Sequence, residues 1–421
     1  MKKKLKKFFR SLGPGFITGA SDNDPSGIAT YSQAGALFGY GQLWLSLYLW
    51  PFMSVMQEMC GRIGLVTGRG LAGVIRSHYS RSILYFAVSL LFLANTINIG
   101  ADLGAMAAAA QLLLNWPFAV WLILMAAFTL LLEVFVSYQV YAKYLKYLTL
   151  ALFAYAAAFF MAQPDWRAII LATFIPTLSF SPDYLINVVA ILGTTISPYL
   201  FFWQASEEVE EEVAQHKIRA MGWSIPRVNR RDISSLRLDT VIGMLWSQMI
   251  AFFIIATTGS TLYLAGINNI TTATEAAEAL RPLAGNFTFF VFALGIIGTG
   301  LLAVPVLAGS ASYAIAKSFG WREGLYRKFR QAHGFYGVIT IATLFGLLIN
   351  FTYLQPFQIL YYTAVLNGII APPLMVLILL IAGNKNIMGK YTNSRLSAAL
   401  GWIITILMGI ASLTLIYNLL W

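Results

Sequence analysis

The chain has 421 residues, 58% hydrophobic and 11% charged, with a formal net charge of +11. Soluble domains carry about 25% charged and about 45–50% apolar residues, so an apolar fraction this high along the whole length calls for lipid as solvent and excludes a string of soluble domains. The single cysteine, Cys60, excludes an intrachain disulfide, and no Cys/His spacing points to zinc.

The opening MKKKLKKFFR resembles the basic region of a signal peptide. The apolar stretch behind it is short and runs into Ser21-Asp22-Asn23-Asp24-Pro25 before a second apolar half begins, which predicts a retained, interrupted helix over 12–39. Further spans are predicted over 42–66, 82–114, 117–137, 142–162, 184–206, 238–265, 286–318, 334–353, 357–382 and 396–420. Most meet the length of about 20 apolar residues that a helix needs to cross a bilayer. The runs are too long and too apolar for alternating barrel strands, so the expected class is an all-α membrane protein of about eleven helices.

Charge sets the expected orientation. With the N-terminus inside, the inner segments hold the N-terminal lysines, Arg62 to Arg81, Lys143 and Lys146, Lys217 to Arg237, Lys317 to Arg330 and Lys385 to Arg395. Of the 28 Lys and Arg residues only Arg167 and Arg281 fall outside. That bias places the N-terminus in the cytoplasm and the C-terminus outside a bacterial-type plasma membrane. The positive charge thus reads as membrane topology, with no nucleic-acid partner.

Two spans carry the same damage. The first is interrupted by Ser21 to Gly27, and the sixth by Gly193-Thr194-Thr195-Ile196-Ser197-Pro198-Tyr199. A proline inside a helix removes a backbone donor and clashes one turn back. Two breaks five spans apart, entered from opposite sides, predict two inverted five-helix repeats, about 12–162 and 184–382. One extra helix follows at 396–420, all in a single transmembrane domain. In such folds the unwound backbone near the midplane binds the substrate.

Asp22 and Asp24 lie a third to half of the way through a span, where an ionised carboxylate costs several kcal/mol. No Lys or Arg sits near that depth, and His78, His216 and His333 all fall in inner loops. The missing positive charge is most simply a transported cation. The ligand atoms at the breaks are the carboxylates, the hydroxyls of Ser26 and Ser197, and freed carbonyls. Oxygen donors of this kind suit Mg²⁺, Ca²⁺ and Mn²⁺ rather than soft metals.

Other intramembrane polar groups are weaker signals. Asn95, Asn98 and Asp102 share a helical face on the third span, and Gln57, Glu58 and Glu133 sit nearer the inner surface; an ion or proton path through Asp102, Asn98, Gln57 and Glu58 is one reading. Asn367 reads as ligand or interhelical glue. The acidic run Glu207, Glu208, Glu210, Glu211 and Glu212 reads as a solvated charged helix start balanced by the basic loop behind it, the alternative being that it draws cations to the inner mouth or binds a regulatory divalent ion. Thr272 to Gly285 reads as a short amphipathic helix capped by Thr272 or Thr274.

These residues resemble the Nramp family of divalent-metal transporters. The likeness runs from Gly13-Pro14-Gly15 through Asp24-Pro25, Ala29-Thr30 and Gln33-Ala34-Gly35 to Gly39-Tyr40. It returns at Gly64 to Arg69, at Thr195-Ile196-Ser197-Pro198 and at Leu280 to Gly285. The resemblance implies a LeuT-like fold and import of Mn²⁺ or Fe²⁺, usually with protons as coupling ion. It implies that Asp24 is a metal ligand, that the carbonyls of Ser21 and Thr194 face the ion, and that Asn367 lies near the place of a family glutamine. Asp102 matches the acidic proton-path position, whose second acid and span-six histidine are absent.

Two departures stand out. The family's Asp-Pro-Gly-Asn is Asp24-Pro25-Ser26-Gly27 here, and its Met-Pro-His is Ser197-Pro198-Tyr199. Loss of the thioether removes selection against hard ions, and Gly27 with Ser197 implies a roomier site for partly hydrated Mg²⁺. The expected function is alternating-access import of Mg²⁺ with Mn²⁺ tolerated, without proton coupling. Asp24 is the principal ligand, and Asp22, Asn23, Ser26 and Ser197 are direct or water-mediated ones; Tyr199 is a candidate lining residue. The rivals are a proton-coupled Mn²⁺/Fe²⁺ importer and an organic-solute symporter of the same architecture. No nucleophile–base constellation or phosphate loop points to an enzyme, and no cofactor beyond the transported ion is implied.

Overall fold

A computed structural model describes residues 13–136, 148–352 and 354–420, with side chains to 418. The N-terminal lysine cluster, Lys143, Lys146 and the start of the predicted 142–162 span lie outside those residues. The described residues form helices and turns, with no strand among them.

Seven stretches are long and apolar enough to cross a membrane by themselves: Arg81–Leu113, Phe118–Phe135, Pro182–Ala214, Arg230–Thr261, Arg281–Phe319, Pro356–Gly383 and Arg395–Asn418. The other four predicted spans miss that threshold for local reasons. The first is cut into α1 (Pro14–Ser21) and α2 (Pro25–Phe38). The second, α3 (Trp44–Thr67), carries Gln57, Glu58 and Arg62 on an otherwise apolar helix. The ninth is a shorter apolar helix, His333–Ile349, and of the fifth the described residues hold the apolar stretch Leu150–Met161.

The helices sort into two packed groups. In the first, α11 (Arg230–Thr261) packs on α1, α2 and α3, and α10 (Pro198–Ala214) packs on α3. In the second, α5 (Arg81–Leu113) packs on α14 (Thr288–Phe319), and α15 (His333–Ile349) packs on both α5 and α6 (Phe118–Phe135). Between them α16 (Pro356–Gly383) touches α5 and α9 (Pro182–Thr195), while α18 (Arg395–Leu420) lies along α16. So the first, second, sixth and seventh spans form one bundle and the third, fourth, eighth and ninth the other.

Small residues set the closest approach within the first bundle. A Cβ on Gly19 would lie 2.8 Å from Gly243 Cα, and one on Gly243 would lie 2.8 Å from Phe16 Cα. Only hydrogen at both positions lets α1 and α11 meet backbone to backbone.

Four of the basic segments touch one another. Arg62 donates to the carbonyl of Tyr391 and, at 2.6 Å, to Asn393. Arg237 pairs with Glu58 at 3.3 Å, Arg76 reaches the Lys317 carbonyl at 2.8 Å, and Tyr391 donates to the Val228 carbonyl. Segments that the charge rule puts on one side therefore share one face. On the opposite side Thr272 caps α12 (Ala273–Glu278) in a reciprocal pair with Glu275, as the amphipathic reading expects. The helix stops at Ala279, and α13 (Arg281–Ala284) is a separate turn.

Candidate metal site at the two helix breaks

Both breaks are narrower than the sequence suggests. Only Asp22, Asn23 and Asp24 are non-helical between α1 and α2, and only Ile196 and Ser197 between α9 and α10. Each second half opens on a proline, Pro25 or Pro198, whose missing N–H is no loss at a first helical turn. The unwinding is thus confined to the residues that need an extended backbone to pass from one half-helix to the next.

The breaks face each other. Tyr199 Oη donates to the Ser21 carbonyl at 3.1 Å. Tyr31 Oη and Thr195 Oγ1 are 3.0 Å apart, and Ser26 Oγ and Thr194 Oγ1 are 3.4 Å apart. Three contacts therefore tie residues about 165 to 180 positions apart into one polar centre. The centre is shut off from both sides: Ser21, Asp22, Asn23, Asp24, Ser26, Thr194, Ser197 and Tyr199 are all at most 1% exposed.

Hydrogen bonding divides each carboxylate into a used and a free oxygen. Asp24 Oδ1 accepts from Gly27 N and Ser26 Oγ, both at 2.7 Å, and so caps α2, while Oδ2 has no partner. Asp22 Oδ2 accepts from Ser247 Oγ of α11, and Oδ1 has none. Asn23 Oδ1 is also unpartnered, as are both oxygens of Asp102. Asp102 is buried on α5, which packs on α2. None of the ion pairs among the described residues involves these three aspartates. Buried polar atoms without partners are rare in folded proteins, and a clustered set of oxygens calls for a cationic guest.

Carbonyls at the ends of α1 and α9 add partial negative charge. Those of Ser21 and Thr194 each already accept one hydroxyl, from Tyr199 and from Ser197 at 2.7 Å, and each keeps a second lone pair. Ser197 also donates to the Gly193 carbonyl at 2.7 Å, so its proton turns back on its own helix and only its lone pairs can face an ion. Among the described residues no three His, Cys, Asp or Glu side chains gather into one metal-holding group. An ion at the breaks would therefore use two aspartate oxygens, neutral oxygens and water.

The remaining sequence-predicted residues divide clearly. Asn98 lies on the same α5 face as Asp102, one turn away, with both amide atoms unpartnered. Gln57 is buried with its amide unpartnered, Glu133 with both oxygens unpartnered, and Asn367 with its Nδ2 unpartnered. Asn95 is interhelical glue, donating to the Leu307 carbonyl at 2.9 Å. Glu58 is already neutralised, by Arg62 at 3.1 Å and Arg237 at 3.3 Å. The expected result for Glu58→Gln is a loss of about 3 kcal/mol in stability, because it strands a buried arginine, with ion selectivity unchanged. Thermal melts beside uptake assays check this; reduced uptake with an unchanged melt would put Glu58 on the ion path.

The acidic run differs from its sequence reading. It is the body of α10, and Glu207, Glu208, Glu210 and Glu212 are buried, leaving Glu211 exposed. The helix continues past the predicted end at 206 and packs on α3 and α14, and these four side chains are buried, so they are not a solvated stretch. Glu210 is consumed by structure, accepting from Tyr313 Oη at 2.6 Å and from Leu325 N at 2.7 Å. Sequence reasoning also missed Ser247, Tyr31 and Thr195. The only signal for Ser247 was the polar pair Ser247-Gln248 inside an apolar span.

Comparison with known proteins agrees with this geometry. A family model described as natural resistance-associated macrophage protein-like matches residues 15–418. The "Divalent metal cation transporter MntH" of Caldanaerobacter subterraneus is 25% identical over 424 residues, covering 98% of this chain and 94% of that protein. The solved manganese transporter of Eremococcus coleocola superposes with a TM-score of 0.74 at 17% identity, over 97% of this chain and 86% of that one. Mhp1, a nucleobase-cation-symport-1 family transporter solved in a closed conformation, superposes at 0.60 and 12% identity, over 97% and 90%. The fold is therefore the LeuT-like one that the family resemblance implies, and the chain belongs to the Nramp family.

Proposed function

We propose that the chain is a secondary transporter that carries a divalent cation inward across a bacterial-type plasma membrane by alternating access, with Mg²⁺ as its main substrate and Mn²⁺ tolerated. The observation behind this reading is the set of oxygens on Asp22, Asn23, Asp24 and Asp102 that are buried and have neither partner nor counter-charge among the described residues. Oxygen-only donors favour hard ions, and Mg²⁺ keeps part of its water shell when bound. The shell needs room that the closed arrangement lacks: a Cβ on Gly27 would already lie 3.3 Å from both the Asp22 carbonyl and Thr194 Oγ1. Hydrated ion therefore enters with one bundle swung open, and closure either strips water or presses the oxygens onto it. Substrate release follows opening on the side where the basic segments gather. Asp102, one helix away, supplies a third negative charge that raises cation occupancy without contributing to a protein-only cage.

A proton-coupled Mn²⁺/Fe²⁺ reading has its own support in the divalent metal cation transporter relative and in the manganese transporter that shares the fold. It also has Met106, whose sulfur and the Pro25 ring both lie against Gly300, so one thioether sits beside the first break. The test is uptake into proteoliposomes of Mg²⁺ and Mn²⁺ with internal pH followed, in wild type and Met106→Leu. Mg²⁺ uptake without acidification, insensitive to Met106→Leu, is the expected result. Uptake confined to Mn²⁺ with acidification, falling in Met106→Leu, would replace Mg²⁺ by Mn²⁺ as the substrate.

A further inference from the structure

A second acidic centre lies outside the breaks, where the start of α1 meets the end of α10 and the first turns of α11. The carboxylates of Glu208, Glu211, Glu212, Asp232 and Asp239 line a cavity of about 160 Å³, with Lys217 as the basic residue in its wall. Three of these acids are already engaged. Asp239 accepts from Gly13 N at 2.9 Å and Gly15 N at 2.8 Å, Asp232 pairs with Lys217 at 3.3 Å, and Glu211 accepts from Gln215 at 2.8 Å. Among the described residues Glu208 Oε1 and both oxygens of Glu212 have no hydrogen-bond partner, on side chains 6% and 2% exposed. The two residues are one helical turn apart on the same face, a spacing at which like charges repel. Among the described residues one ammonium, Lys217, faces this pair, and it is shared with Asp232.

We propose that Glu208 and Glu212 hold a hydrated divalent cation of the hard, oxygen-seeking class in this cavity, and that the bound ion fastens α10 to α1 and α11 and so favours the closed arrangement on this side. Gly13 and Pro14 form part of the cavity wall, so α1 cannot swing away without dismantling the site. Swinging also breaks the Asp239 hydrogen bonds to Gly13 and Gly15. An ion that binds only the closed state shifts the population toward it by its differential affinity. Charge topology puts this cavity on the cytoplasmic face, where the ion would restrain transport as its internal concentration rises. The proposal does not depend on which ion the breaks carry.

The experiment uses the purified full-length Asp24→Ala protein, from which the main acid at the breaks is gone, titrated with Mn²⁺ as a paramagnetic probe and Mg²⁺ as competitor. The expected result is one saturable Mn²⁺ equivalent that Mg²⁺ displaces. Adding Glu208→Gln and Glu212→Gln should weaken it at least about tenfold, since affinity of oxygen sites follows ligand charge. Mg²⁺ should raise the melting temperature of the Asp24→Ala protein and not of the triple variant, a readout that also verifies folding. No saturable Mn²⁺ in Asp24→Ala, or affinity and melting response unchanged by the two glutamines, overturns the proposal. Binding lost with Glu208 and Glu212 but indifferent to Asp24 would instead support this cavity and count against the site at the breaks.

Discussion

Asp24→Asn should weaken divalent-cation binding about a hundredfold while leaving stability within about 1 kcal/mol of wild type. The asymmetry follows from the split of its carboxylate. Oδ1 caps α2 through Gly27 N and Ser26 Oγ, and an amide oxygen can accept both of those hydrogen bonds. Oδ2 is the unpartnered atom, and in asparagine an NH₂ replaces it, presenting hydrogens to the ion in place of negative charge. Asp24→Ala removes the cap as well and should cost about 1 kcal/mol more. Isothermal titration with Mg²⁺ and Mn²⁺ next to thermal unfolding separates the two effects. Wild-type affinity in the asparagine variant would remove Asp24 from the ligand set.

The second large effect is expected at the meeting of α1 and α11. Gly243→Val places a side chain where Phe16 Cα lies 2.8 Å from the Cβ position, and the obstructing atoms are backbone, which cannot step aside by changing rotamer. Overpacking of this kind costs about 1–3 kcal/mol, and here the cost falls on every state in which α1 packs on α11, so a state in which α1 lifts away from α11 escapes it. A penalty of about 1.4 kcal/mol shifts a two-state population tenfold. The variant should therefore lose transport and rest with the α1 side open. A cysteine at Ser26, in a Cys60→Ala background, should react about tenfold faster with a membrane-impermeant thiol reagent from that side than it does without Gly243→Val. Native transport together with unchanged reactivity would mean that the two helices do not part during the cycle.

The two predictions probe different parts of one machine. Asp24 tests what the breaks hold, and Gly243 tests what closes over them. Between these sites Asp22 connects chemistry to movement. Its Oδ2 accepts from Ser247 on α11, the helix that α1 packs against, while its Oδ1 has no partner among the described residues. Movement of α11 relative to α1 must therefore alter the environment of a candidate ligand, which is the physical link alternating access needs.

Much of this was legible in the residues. Carboxylates and prolines inside apolar runs are too costly to be incidental, so Asp22, Asp24, Pro25 and Pro198 marked the breaks. The all-helical class and the inverted pair of broken spans follow from those signals because the bilayer leaves few alternatives for a spanning backbone. The family likeness rested on the same residues. What a linear pattern cannot carry is pairing across the fold. Glu58 and Glu208 look alike as acids near the end of an apolar helix. Glu58 meets Arg62 and Arg237, whereas Glu208 keeps an oxygen with no partner. Asp22 and Asp24 look alike in the first break, yet one is held by Ser247, 225 positions away, and the other by its own helix. The sequence by itself determined where charge enters the membrane, since that is a local cost paid residue by residue. Only the tertiary structure decided which of those charges are satisfied and which are left open to a cation, since hydrogen bonds and ion pairs form between helices that the chain order keeps far apart.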